Sequence, residues 1–377
     1  VKIVIVGAGP IGCYTARLLK RHGLNPLLIE EHKEIGRPVH CAGVVGKEVF
    51  KKATLPLPLG SIKNQIDGAE IFYGKENFTL NRKEVAYVID REIFDKELGK
   101  GLDVVYETKF LGFEKTNKSC FVETDKGAFE ADVIIGADGA TSRVREAAGL
   151  NNGIRYFSGV QMRIAAKIAN ANLVKVYIKK PFFSWIVSEG NGLVRAGIIS
   201  DNPYNDLKNF LEEVKLNGQI IEKFGGIIPI GTCYIVKDNV ALVGDAACQV
   251  KPITHGGIYY GMRGAEILAD CVAKGKLSSY DRLWKKRYGG EIHLALYFKN
   301  MYEKLSKKDL SAVFEIMRLS ANKIETAGDF ENHTSIIIQI IKDRQIQNKL
   351  GSVLWNMLKS NLVLKGFING KNKEGRV

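Results

Sequence analysis

No apolar run in the 377-residue chain approaches the ~18 residues that a bilayer-crossing helix requires, so no transmembrane span is expected. None of the six cysteines belongs to a C-x-x-C pair. That argues against a zinc site, with no metal expected, and against a disulfide framework. Neither an RRM nor a KH signature is present, so nucleic acid is not expected as a partner. The net charge of +14 still leaves an anionic membrane surface, or solvated surface lysines, to account for the basic balance. The chain opens on strand-like Val1 to Gly7 with no signal-peptide pattern, and the expected compartment is the cytoplasm. Hydrophobic residues make up 45% and charged residues 25%, which fits an ordinary globular protein, and the length suggests about two domains.

The β-branched run Val1 to Val6 ends at Gly7-Ala8-Gly9-Pro10-Ile11-Gly12. Good helix formers follow from Cys13 to Arg21, and Pro26 to Ile29 reads as a second strand ending at Glu30. This is G-x-G-x-x-G between strand and helix, with an acid 18 residues past the last glycine. Gly7 allows the tight turn, Gly9 lets backbone approach a pyrophosphate, and Gly12 lets helix and strand pack closely. The helix N-terminus would take the phosphates and Glu30 the adenosine ribose hydroxyls. Only one such loop is present, which excludes a second dinucleotide domain.

A second stretch, Asn239 to Gly264, starts with the apolar strand Val240 to Val243 and stops at Gly244-Asp245. A loop with Pro252 and Gly256-Gly257 then leads to a helix beginning at Ile258. Asp245 can accept hydrogen bonds from ribityl hydroxyls, and the helix end at Gly257 and Ile258 can face the negative charge of a reduced flavin ring. A third strand-to-loop unit ends at Gly136-Ala137-Asp138-Gly139. Asp90 caps an amphipathic helix whose first turn holds Arg91. A cation there opposes the helix dipole, so it should have a partner, either a cofactor phosphate or an ion pair.

The expected fold is α/β: a Rossmann-like FAD-binding domain, a mostly antiparallel β-sheet substrate domain and a helical C-terminal region. The first comprises residues 1–60, 83–152 and 237–285, the second 61–82 and 153–236, the third 286–377. Short strands are expected at Ala69 to Tyr73 and Asn77 to Leu80, and His32 to Gly46 reads as a loop. Leu350 to Phe367 pairs an apolar stripe and Trp355 with flanking lysines. It reads as a peripheral contact with anionic membrane, or as a helix packed back on the core.

Together, Gly7 to Gly12 with Glu30, Gly136 to Gly139 and Gly244 to Ala247 resemble the FAD-dependent fold of the p-hydroxybenzoate hydroxylase type. Glu34 to Ala42, Asp90-Arg91 and Pro252-Ile253-Thr254-His255-Gly256-Gly257-Ile258 are similar to the geranylgeranyl reductases, which saturate prenyl chains of archaeal lipids and of chlorophyll. The resemblance implies FAD as cofactor, with Ile11, Cys41, Ala42, Arg91 and Ile258 beside it. It also implies a role for Cys41 near the ring as acid or relay, directly or through water. It places Phe183 and Trp185, within Phe183 to Gly192, at the substrate. The family's glycine after Gly-Asp-Ala-Ala is Cys248 here, and its first loop glycine is His255. A histidine there has a pKa suited to proton traffic, or it caps the helix.

The implied activity is saturation of isoprenoid double bonds, in a membrane lipid or a polyprenyl quinone, by hydride from reduced FAD plus a proton. It needs an external electron donor, ferredoxin or NAD(P)H. The alternatives are an aromatic monooxygenase of the same fold and a basic flavoprotein that binds membrane or RNA without turnover.

Overall fold

The computed structural model describes residues 1–115, 120–151, 153–180, 182–343 and 346. Two sheets carry the architecture. The first runs Val236–Lys237, Val240–Leu242, Val133–Gly136, Ile3–Val6, Leu27–Ile29, Val104–Val105. All its pairings are parallel except that of Val236–Lys237. Ile3, Val4, Ile5 and Val6 are all buried, as a strand covered on both faces should be. The helices Pro10–Arg21 and Ile258–Ala273 pack against each other beside this sheet and bring two glycine loops to its carboxyl end, where open α/β sheets bind ligands. A small antiparallel sheet, Phe110–Lys115, Cys120–Thr124 and Gly127–Ala131, forms the expected meander.

The second sheet has eight strands, ordered Gln219–Gly231, Ile154–Ala165, Leu193–Ile199, Phe183–Gly190, Leu173–Ile178, Ile62–Tyr73, Glu76–Ile89, Val44–Gly46. It is antiparallel except where Leu173–Ile178 pairs with Ile62–Tyr73. Three expectations are corrected here. The hairpin is one long ribbon, Ile62–Tyr73 against Glu76–Ile89, rather than two short strands, and a break expected near residue 83 falls inside a strand. Register shifts at Ile62/Asn64 and Ile66/Gly68 let the ribbon bend without ending. The expected loop His32 to Gly46 closes with a strand, Val44–Gly46, on the edge of this sheet.

The helices Gly290–Lys304, Lys307–Leu319, Ala321–Ala327 and Thr334–Lys342 follow. Phe314 packs on Ile71 and Phe78 of the ribbon, so this region covers the second sheet. No helix among the described residues is long and apolar enough to cross a membrane. Leu350 to Phe367 lies outside the described residues.

Candidate active site

The three glycines of the first loop do different jobs. Gly7 has φ +98°, and a Cβ there would lie 2.5 Å from the Ala137 carbonyl oxygen. A Cβ at Gly12 would lie 2.0 Å from the Gly7 oxygen. Both glycines therefore serve contact between chain segments. A Cβ at Gly9 would meet no protein atom within 4 Å, so the space above it is left for something else. Gly9 also starts the Pro10–Arg21 helix, whose free N–H groups face that space. Buried Glu30 accepts from the Ala8 N–H at 2.8 Å and the His32 N–H at 3.0 Å, which ties the glycine loop to the end of the second strand.

The loop after Val133–Gly136 is built on Asp138, which accepts from Ser142 Oγ at 2.6 Å and from the Val144 N–H at 3.1 Å. Burial nevertheless raises its pKa. Arg145 is fully buried and donates to the Ala140 carbonyl at 2.7 Å and the Ala246 carbonyl at 2.8 Å. It clamps the second glycine loop to the third, and no spacing in the sequence marked it. Ile11 sits against the third loop and the helix after it: a Cβ at Gly244 would meet it at 3.2 Å and one at Gly261 at 2.8 Å.

Asp245 faces the same space. Burial pushes its carboxyl up to about 6, against the pull of Arg91 and Arg145. Gly257 precedes the Ile258–Ala273 helix, and a Cβ there would fall 2.5 Å from Asp245 Oδ1. Only glycine lets the carboxylate and the helix N-terminus approach this closely.

Cys41 and Ala42 line the cavity beside Arg91. The Gly43 N–H donates to Cys41 Sγ at 3.3 Å, and Arg91 interacts electrostatically with the same residue. Arg91 donates through Nε and Nη2 to Asp95 at 3.0 and 2.8 Å. Burial works against its charge, but Asp95 and Cys41 hold its pKa above the ordinary value. The partner that the helix dipole demanded is thus a buried carboxylate four residues on.

The substrate-side wall is aromatic. Phe183 and Trp185 line the cavity, with ring centroids 5.9 Å apart. Trp185 lies flat over Gly197, where a Cβ would meet the indole at 2.2 Å, and it donates to Gln161 Oε1 at 2.9 Å. His255 sits among Phe157, Phe182 and Phe183 with φ +62°. Neither ring nitrogen has a partner, and the Gly257 start of the helix has no side-chain cap. The capping role is therefore overturned. Burial, with Lys299 adding to it, pushes the His255 pKa down to about 3. Its surroundings thus favour the neutral imidazole, which weighs against a proton carrier titrating near neutrality.

These groups line one cavity of about 1390 Å³, larger than the ~300–1,000 Å³ of a site for one small ligand. From the glycine loops it runs along the second sheet past Val174 and Val176 to Ile316, Ile336 and Ile340 of the C-terminal helices. The glycine crevice, two helix N-termini and a buried carboxylate fit a dinucleotide joined to a flavin. The apolar arm is additional space.

Fold and site define an FAD-dependent oxidoreductase. Residues 1–174 match the family described as pyridine nucleotide-disulphide oxidoreductase. An uncharacterized protein of Methanocaldococcus jannaschii is 31% identical, over 91% of this chain and 95% of its own. Digeranylgeranylglycerophospholipid reductase of Methanosarcina acetivorans is 30% identical, over 84% of this chain and 90% of its own. A geranylgeranyl bacteriochlorophyll reductase-like structure from Thermoplasma acidophilum superimposes with TM-score 0.78 at 25% identity, covering 93% of this chain and 98% of its own. The chain belongs to the geranylgeranyl reductase family, FAD-dependent oxidoreductases that act on C=C bonds.

Proposed function

We propose that this protein saturates the double bonds of a geranylgeranyl-type membrane lipid, with electrons from ferredoxin or NAD(P)H. The observation that carries the reading is the apolar arm of the cavity, which joins the flavin end to the C-terminal helices and suits a long prenyl chain. Bound, reduced FAD supplies hydride. An isolated alkene is electron-rich, so the other carbon must receive a proton. Cys41 is our candidate to hold or relay that proton, because it lines the cavity shared by the glycine loops and the apolar arm. His255, neutral and flanked by three phenylalanine rings, would serve as wall and orienting group. Gly7, Gly9, Gly12 and Glu30 are assigned to the dinucleotide, Asp245 to the ribityl hydroxyls, and Gly257 and Ile258 to the ring. Phe183 and Trp185 are assigned to the prenyl chain. Peripheral contact with an anionic bilayer, the source of so insoluble a substrate, belongs to the same proposal.

FAD-loaded protein reduced with dithionite should convert a geranylgeranyl lipid to products heavier by pairs of hydrogens in mass spectrometry. Oxygen incorporation, with NAD(P)H consumption stimulated by an aromatic acid, would overturn the reading. Cys41→Ser should keep FAD and lose roughly a hundredfold in turnover. Cys120→Ser, buried in the meander sheet, should lose little.

FAD binding should also depend on pH. Hydroxyl donors favour ionised Asp245, whereas the empty site favours the protonated form below about 6. The FAD dissociation constant should be flat above that pH and rise up to about tenfold per unit below it. Without FAD the sign of the stability effect is opposite. A carboxyl whose folded pKa is raised gives stability at low pH that is lost as pH rises from its unfolded value, 3.8, through about 6. A flavin fluorescence titration at pH 5 and 8 checks the first of these.

A further inference from the structure

We infer that Arg195 is a positioning residue for Cys41, acting from the second sheet through two backbone carbonyls. The inference rests on the proposed role of Cys41. Arg195 Nη1 donates to the Ala42 carbonyl at 2.7 Å and to the Ile89 carbonyl at 3.1 Å. Ala42 directly follows Cys41. Ile89 ends the strand that leads through Asp90 to Arg91, which lines the cavity with Cys41. One guanidinium therefore fixes both chain segments that define where Cys41 and Arg91 meet.

The geometry leaves little slack. Gly43 has φ +70°, and a Cβ there would lie 2.3 Å from Arg195 Nη1 and 2.6 Å from the Ile89 oxygen. The Ile89 N–H in turn donates to the Gly43 carbonyl at 2.8 Å. The Cys41 loop is thus held on the strand end by its own backbone and by the arginine together.

Arg195 needs an anchor, because an arginine that merely neutralised charge would not be fixed in place. It lies directly opposite Arg163 across the pairing of Leu193–Ile199 with Ile154–Ala165. Two like charges in that relation repel. Glu189, buried at the end of the neighbouring strand, accepts from Arg195 Nη2 at 2.9 Å with one oxygen and from Arg163 Nε with the other. The carboxylate turns a repulsive pair into a rigid bridge and leaves Nη1 of Arg195 aimed at the Cys41 loop. Arg195 does not line the cavity, so its effect on the reaction passes through Cys41.

The test compares FAD-loaded wild type, Arg195→Lys and Arg163→Lys. Lysine at 195 can keep the ion pair with Glu189 but has no fork to hold two carbonyls as well. The first readout is independent of turnover: iodoacetamide labelling of Cys41, followed by peptide mass spectrometry with half-buried Cys233 as internal reference. Cys41 should label about fivefold faster in Arg195→Lys alone, because the loop loses its tether. Turnover of a geranylgeranyl lipid should then fall roughly tenfold or more with KM unchanged, as expected when a reacting group is misplaced. Unchanged Cys41 labelling in Arg195→Lys overturns the inference. Faster labelling with full turnover overturns it too, since the tether would then not matter to the reaction. If wild type reduces no prenyl lipid while labelling still responds, the proposed function fails and the tether stands. Should Arg195→Lys not fold, the double variant Glu189→Gln/Arg195→Gln removes both buried charges and is read in the same way.

Discussion

Gly9→Ala is expected to give a folded, colourless protein, with FAD bound at least a hundredfold more weakly, about 2.7 kcal/mol. The residue sits at φ −65° and ψ 179°, which alanine adopts without strain. An added methyl would touch no protein atom within 4 Å, so folding loses nothing. The methyl would stand instead in the space that the phosphates need beside the helix N-terminus. Gly7→Ala should behave differently. Its φ of +98° and the 2.5 Å approach to the Ala137 oxygen strain the loop before any ligand arrives, so both stability and flavin should suffer. Thermal unfolding without FAD, beside an FAD titration, separates the two. If Gly9→Ala keeps its flavin, the pyrophosphate does not lie over this glycine.

Glu189→Gln should be the most destabilising single change in the second sheet. It leaves two guanidiniums facing each other, one of them buried, and breaking such a network by removing one partner costs about 3–5 kcal/mol. With unfolding entropy near 2.1 cal/mol/K per residue, this corresponds to a midpoint about 4–6 °C lower. Removing Glu189 and Arg195 together should cost less, because a half-exposed Arg163 can turn to water. The pH dependence carries a sign of its own. Burial raises the Glu189 pKa, but Arg163 and Arg195 outweigh it and hold the carboxyl below its ordinary value. A depressed acid stabilises the fold above its unfolded pKa, 4.5, and that contribution disappears as pH falls through the folded value. Melting curves should show wild type losing stability in that acid range, while Glu189→Gln, already without the contribution, changes less.

The flavin end was legible because each of its constraints is local. Gly7, Gly9 and Gly12 stand at fixed spacing in a single turn between strand and helix, even though Gly7 meets Ala137 of a distant loop, and Asp245 precedes its helix by only a short loop. The Arg91 partner was also local, since Asp95 lies one helical turn on, and of the two partners the dipole argument left open, a phosphate or an ion pair, the structure shows the ion pair. The long ribbon was written in the alternation Phe78, Leu80 against Asn77, Thr79, Asn81, but breaks in apolar character were taken for strand ends. Arg145, Gln161 and Arg195 were not legible. Their partners lie far away in the chain, and nothing in a linear pattern says that a guanidinium from one sheet will hold the loop of another. The lowered pKa of His255 depends on burial among three phenylalanine rings from other segments and on Lys299, none of which its loop sequence shows.

The order of the parallel sheet has a temporal consequence. Ile3–Val6 pairs on one side with Leu27–Ile29 and on the other with Val133–Gly136, and Val240–Leu242 joins beyond that. During synthesis at roughly 5–20 residues per second, the last of these strands emerges about 10–50 s after the first. Ile3–Val6 keeps an open edge until Val133–Gly136 is made, roughly 6–25 s after it; Val133–Gly136 in turn waits for Val240–Leu242, and the eight-stranded sheet is translated before that last strand appears. Sheets closed by such distant pairings nucleate slowly. The dinucleotide loop thus leaves the ribosome long before the Gly244-Asp245 loop, and the crevice needs both, so FAD can be captured only after Val240–Leu242 has joined the sheet.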